Sequence, residues 1–444
     1  MGSSGPSKNV FSGSGLFFVS NFPQKLETEN NSIFKSGKDD LVWCMRHMLR
    51  FGRFTGLFPF TGVFQSDLYQ LKHKICSSAG IWSLVCIACI FVSLGIGLLG
   101  VVKLRGTNAT EWAWASDSAA FYLIGLLCYI HFLRRGPELV RIFQKWSSLP
   151  LNCNLYDKTL GRDVILSGAL LVSGILENSV WTYNGFTQHE PPNDGSSILR
   201  NFFENSRTQW LNLVDYSPII PLFIFFSNKL CMWGWNLTDI FVISMARALS
   251  GKFKAFNEVA RKEISIGKRS TNYSREPITK LEMMLLDHQL LRELLKDVAL
   301  FLSPLLFLLY TGNLFFICLQ IHLGVTGKAT KEFWGSSYAF WAFLHLFVKL
   351  FVTTSTAAKV NYQVHQFADI LYEAPDYMDS SNARKTREYL GTKAFGLDGL
   401  GCFVIRTPFM LSLLSFVFTF EIVLFQSTFP SCGSFNRTNY ATLD

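Results

Sequence analysis

Seven long apolar runs divide the chain, at residues 77–102, 114–133, 164–183, 216–250, 298–323, 338–358 and 407–426. Crossing roughly 30 Å of hydrocarbon takes about 20 apolar residues in a helix, so each run predicts a transmembrane helix. The fourth run passes through Asp239 and is longer than a crossing needs, which sends its inner end out of the lipid. Between 281 and 298, Leu281, Met284, Leu285, Leu291, Leu295 and Val298 recur at helical spacing, with Arg292 and Lys296 on another face. That pattern predicts an amphipathic helix running straight into the fifth crossing. Residues 359–373 also read as helix and stop before Pro375, since proline disfavours helical backbone just ahead of it. The plan is an all-α polytopic membrane protein. It has a tail at 1–76, four crossings within 77–250, an amphipathic segment at 251–297 and two crossings within 298–358. A polar segment at 359–406, a last crossing at 407–427 and a tail at 428–444 complete it.

Charge orients this plan. Lysine and arginine concentrate in the first tail and in the gaps after the second, fourth and sixth crossings. The gap after the fourth alone holds Lys252, Lys254, Arg261, Lys262, Lys268, Arg269, Arg275, Lys280, Arg292 and Lys296. The opposite side has Lys103, Arg105, Arg200, Arg207, Lys328, Lys331 and Arg437. The positive-inside rule then sets the amino terminus in the cytosol and the carboxyl terminus outside. That is the reverse of a G-protein-coupled receptor, and no Asp-Arg-Tyr follows the third crossing. The outside segments hold one cysteine, Cys432, so no disulfide within the chain is expected there. Two glycosylation sequons fall outside, at Asn108 and Asn436. Those at Asn30, Asn236 and Asn272 fall inside or within the membrane.

Composition excludes other classes. Hydrophobic residues make up 49% of the chain and charged ones only 16%, with 42 phenylalanines, as expected of a membrane protein rather than a soluble one. The net charge of +9 lies in the cytosolic gaps without interleaved aromatic motifs, so nucleic acid is not expected as a partner. Gly95 to Gly100 spells G-x-G-x-x-G, but inside a membrane helix, where it serves close helix packing and not a nucleotide. No zinc-type His/Cys motif and no nucleophile elbow is present, so neither metal, cofactor nor enzyme activity is expected.

The remaining chemistry is polar residues in the membrane, where charge is costly and marks function. Asp117 lies near the outer end of the second crossing. Glu177, Asn313 and His345 lie about two helical turns down, and Trp181, Gln320, Tyr338 and Trp341 slightly above them. Carboxylates and amides at one depth can take paired hydroxyls while aromatic faces cover an apolar ring; they can also bond helix to helix. Lys229 and Lys349 lie deeper, and Lys349 reads as a structural ion-pair partner. In the last crossing Thr419, Val423 and Gln426 form one stripe, with Glu421 and Phe425 pointing elsewhere. Such a stripe faces either other helices or water.

Several of these segments carry a resemblance. Thr419-Phe420, then five residues, then Gln426 resembles the signature closing the last span of insect gustatory receptors. Glu421 directly after the aromatic is similar to the sugar-receptor branch. Phe54 to Pro59, Leu176-Glu177-Asn178, Trp235 to Phe241, Asn313 to Gln320, and Gly396 to Leu400 with Arg406 resemble further elements of that branch, in order. Asn178 stands where the branch has His, and Ser427 where a Phe usually follows the glutamine. The resemblance implies the insect chemoreceptor ion-channel fold: a homotetramer or heterotetramer in the plasma membrane. A ligand pocket in each subunit would open outward, the segments 251–297 and 359–406 would form a cytosolic anchor, and the last spans would line one pore. It implies sugars as ligands, with Asp117, Glu177, Trp181, Asn313, Gln320, Tyr338, Trp341 and His345 as pocket residues. Thr419, Val423, Phe425 and Gln426 become pore residues. Two other readings stay open: an obligate subunit of a mixed channel that is silent alone, and a transporter, for which no internal repeat is visible.

Overall fold

The computed structural model describes residues 41–63, 71–103, 109–151, 160–187, 200, 215–269, 275–325, 333–375 and 380–428. These form a helical bundle. Helix α1 (Leu41–Phe54) leads into a two-residue ladder of β1 (Phe60–Thr61) and β2 (Lys72–His73). Then come α2 (Ser78–Lys103), α3 (Ala109–Ser147), α4 (Leu160–Thr187), α5 (Ile219–Arg269), α6 (Arg275–Val325) and α7 (Phe333–Tyr372). A short α8 (Ser381–Thr392) and the hairpin β3 (Asp398–Gly399) and β4 (Phe403–Val404) precede α9 (Phe409–Thr428). The strands are the one departure from an all-helical expectation among the described residues.

By length and composition, four described stretches can cross a membrane: Ser78–Val102, Ser116–Ser147, Ile278–His322 and Phe340–Tyr372. Helix α9 adds the shorter apolar stretch Phe409–Val423. The third and fourth expected crossings, on α4 and α5, are less apolar. The reason is visible in the packing: Asn178, Asn228, Asn236 and Asp239 are buried between helices. Apolar side chains on the bundle's outside behave oppositely. Ile165 is 76% exposed and Phe91 63% exposed, which is costly in water and neutral in lipid.

Helices α5 and α6 each run 51 residues, about 75 Å at the usual helical rise and well beyond the hydrocarbon thickness. Glycines let the central helices approach. A β-carbon on Gly125 of α3 would lie 2.2 Å from the Cys231 sulfur of α5, and one on Gly234 would lie 2.4 Å from the Tyr129 ring. Gly97 packs against Ala119 of α3 at ordinary contact distance, while Gly95 meets nothing.

The segment after α1 plugs one end of this core. Gly56 takes a positive φ of 78°, which suits glycine, and turns Leu57 and Phe58 inward, both fully buried. Phe58 packs edge-on to Phe132 with ring centroids 4.8 Å apart. The Tyr129 hydroxyl donates to the Thr55 carbonyl at 2.8 Å, and the Trp82 indole to the Phe54 carbonyl at 2.9 Å.

Helix α8 starts at a capping serine: Ser380 Oγ accepts from the Ala383 amide at 3.1 Å. The β3–β4 hairpin is pinned to α6 by Ser303. Its hydroxyl donates to Asp398 at 2.9 Å and accepts from the Leu400 amide at 2.7 Å. Phe403 stacks on Phe409 at the root of α9, and Tyr310 of α6 meets both rings at 5.5 Å.

Candidate functional site

Five helices converge on a polar cavity of about 120 Å³. Asp117 comes from early α3, Glu177 from late α4, Asn228 and Asn236 from α5, Gln320 from late α6, and His345 from early α7. Successive helices run in opposite directions, so these positions share one end of the bundle. Phe121, Trp235 and Phe316 form the apolar part of the lining. Trp235 lies 5.0 Å from Phe316 and 6.2 Å from Phe121, centroid to centroid.

A buried network forms one wall and the floor. His345 Nδ1 lies 3.1 Å from Ser173 Oγ, and Nε2 lies 3.3 Å from Asn236 Oδ1. An amide oxygen only accepts, so Nε2 carries a proton toward Asn236, and the Ser173 hydroxyl, which can donate or accept, partners Nδ1. The same Asn236 oxygen lies 3.4 Å from Lys349 Nζ. Lys349 sits 2.8 Å from Asp239, with 2% and 0% of the two side chains exposed, and 4.1 Å above the Trp235 ring. Opposite, Lys229 donates to Asn178 Oδ1 and, at 2.7 Å, to Thr182 Oγ1. The Asn178 amide reaches Asn228 Oδ1 at 3.3 Å. Asn178, Asn228 and Asn236 are each held in orientation by a neighbour, which presets acceptors and donors for a guest.

Of the pocket residues expected from sequence, the structure brings Asp117, Glu177, Gln320 and His345 together. Asn313 is buried deeper, beside Asp239, and does not line the cavity. It shares the α6 stripe of Gln320 but lies two turns below. Trp341 is 45% exposed. The α7 stripe facing the cavity is Ala342, His345, Leu346 and Lys349, and Trp341 falls about 40° beyond His345, the edge of that stripe. Trp181 and Tyr338 lie on α4 and α7, their side chains outside the described residues. Asn228 and Asn178 also line the cavity and were not anticipated there. The clue was their place beside Lys229 and Glu177, where a lone amide in an apolar run needs partners.

On α9, Thr419 and Val423 are exposed, Thr419 donating to its own helix at Ser415. Glu421 instead lines a second cavity toward α6 and α7. The side chains of Phe425 and Gln426 lie outside the described residues, as do Asn108 and Asn436 altogether.

The family model described as "Trehalose receptor" matches residues 27–431. The chain belongs to this family of insect gustatory receptors. The receptor is 23% identical over 327 residues to gustatory receptor for sugar taste 64a of Drosophila melanogaster, spanning 70% of this chain and 69% of that one. It is 20% identical over 386 residues to sugar taste receptor 64b of the same fly, spanning 83% and 90%. Its fold matches that of the insect olfactory receptor OR5 from Machilis hrabei with a TM-score of 0.65. That match has 13% identity and covers 86% of this chain and 97% of OR5. The eugenol complex of OR5 matches with a TM-score of 0.60 at 14% identity, covering 88% and 100%. The receptor is thus a multi-pass membrane protein with the insect chemoreceptor fold, and not an enzyme.

Proposed function

We propose that the receptor is a sugar-gated, non-selective cation channel of the plasma membrane of taste neurons. The cavity carries this reading. Two carboxylates, several oriented amides and an imidazole surround a space capped by aromatic rings, the complement of a ring with hydroxyls on its edge and carbon on its faces. At about 120 Å³ it is smaller than the roughly 300–1,000 Å³ of drug-sized pockets, which suits a single sugar ring. Relatives named for sugar taste support the ligand class.

The test is whole-cell recording against a panel of sugars, with the receptor expressed alone and with a second gustatory receptor. Sugar-evoked cation current supports the proposal. Normal surface expression with no current in either setting, or saturable sugar uptake without channel openings, overturns it.

The topology belongs to the same proposal: seven crossings, amino terminus inside, carboxyl terminus outside. It rests on the lysine and arginine bias. A carboxyl-terminal epitope is expected to label on intact cells and an amino-terminal one only after permeabilisation. The opposite pattern refutes the orientation.

The pore is read as a ring of last helices from four subunits. Helix α9 packs chiefly on α6 and α7, leaving Thr419 and Val423 bare on the described chain. Gln426 closes their stripe, and four amides could replace part of a cation's hydration without trapping it. Gln426→Ala and Gln426→Glu are expected to change conductance or reversal potential in exchanged cations, with sugar sensitivity nearly intact. Unchanged current–voltage curves in both variants would return the stripe to helix packing.

Ser427 favours a second form of this reading, an obligate subunit of a mixed channel. A small hydroxyl in place of the usual aromatic cannot shut a pore by dewetting, so the apolar constriction falls on Val423, on Phe425, or on the partner subunit. Current that appears only on co-expression distinguishes this form.

A further inference from the structure

We propose that the cavity between α6, α7 and α9 is a second binding site, for an apolar amine whose ammonium pairs with Glu421. The cavity measures about 310 Å³, within the range of small-molecule sites, and it shares no lining residue with the sugar cavity. Ile317 and Ile321 of α6, Phe343 and Phe347 of α7, and Leu413 and Val417 of α9 are typical of its walls. Glu421 is the one ionisable residue of the lining. Its Oε1 is closed off from solvent and has no hydrogen-bond partner among the described residues.

An unpaired carboxyl oxygen in such surroundings carries a desolvation cost that a hydrogen-bond donor offsets. A hydrocarbon chain fills the walls and leaves that oxygen unpaired. An alcohol supplies one neutral donor. An ammonium supplies a charge-assisted donor, the stronger partner at low dielectric, and the phenylalanine faces around it favour a cation as well. The chemistry therefore selects a molecule with one amine and an apolar body. Because α9 forms one wall, the occupant is wedged between the last helix and its two supports.

The experiment uses the purified full-length receptor and a diazirine-bearing alkylamine, with the matching diazirine-bearing alcohol as control. The amine is expected to label residues of α6, α7 and α9 around the cavity, with excess dodecylamine competing and the alcohol labelling at least tenfold more weakly. Glu421→Gln, which keeps the shape and removes the charge, is expected to weaken amine labelling about tenfold. Equal labelling by amine and alcohol overturns the proposal and leaves a crevice for acyl chains only. So does labelling outside the cavity, or amine labelling unaffected by Glu421→Gln in a folded variant. The amine–alcohol comparison on the unmodified receptor decides even if that variant does not fold. No sugar response enters the readout, so the result is independent of the proposed channel activity.

Discussion

Lys349→Met is expected to lower the receptor's stability by about 3–5 kcal/mol, the usual cost of removing one partner from a buried ion pair. Asp239 is fully buried, and Lys349 lies 2.8 Å away. Without the ammonium, the carboxylate would remain in the bundle with Asn313 beside it and no compensating charge. Asp239→Leu strands the lysine in the same way. The double variant removes both charges and is expected to recover most of the loss, because well-packed apolar replacements of buried pairs are often neutral. The measurement is the melting temperature of the solubilised receptor by fluorescence-detected size exclusion, with surface labelling in parallel. Single variants that melt like the parent, or a double variant as poor as the sum of both, would show that the pair does not hold the bundle.

Glu177→Gln carries the second large effect, on the sugar response. Glu177 lines the cavity from α4, as Gln320 does from α6, and its charge lies within electrostatic reach of Lys229. If a sugar hydroxyl donates to this carboxylate, neutralising it costs a charge-assisted hydrogen bond of about 1.5–3 kcal/mol. The half-maximal sugar concentration should rise tenfold or more. Asp117→Asn tests the other carboxylate of the lining by the same dose–response curve. Surface expression serves as control, because Glu177 also feels Lys229. Unchanged curves for both variants at normal expression would take the sugar out of this cavity.

The sequence made the helices legible because apolar runs and helical spacing are local. The amphipathic pattern from Leu281 to Val298 anticipated that α6 runs unbroken from Arg275 into the bundle. Four cavity-lining residues, Asp117, Glu177, Gln320 and His345, stood out for a related reason: a charge or amide inside an apolar run has few uses. Partners were not. Lys349 read as half of an ion pair, yet nothing local names Asp239, which lies 110 residues earlier on a different helix. Asn313 was placed in the pocket from its depth along the chain, which does not tell which neighbour closes over it. Helix α8 escaped notice because SNARKTREYLGT has no apolar stripe; it is held by the Ser380 cap and two buried side chains, Ala383 and Leu390. The β3–β4 hairpin depends on Ser303 of another helix, a contact across 95 residues.

That serine contact makes α6 a lever. Gln320, at the polar cavity proposed to take the sugar, and Ser303, at the hairpin from which α9 starts, belong to one continuous helix and are separated by 17 residues, about 25 Å of rod. A rotation of about 5° around either point moves the other by about 2 Å, the scale of helix shifts that switch packed proteins. No signal has to pass from residue to residue along such a path. A tilt of the rod about its cavity end would displace the footing of the last helix in the same motion.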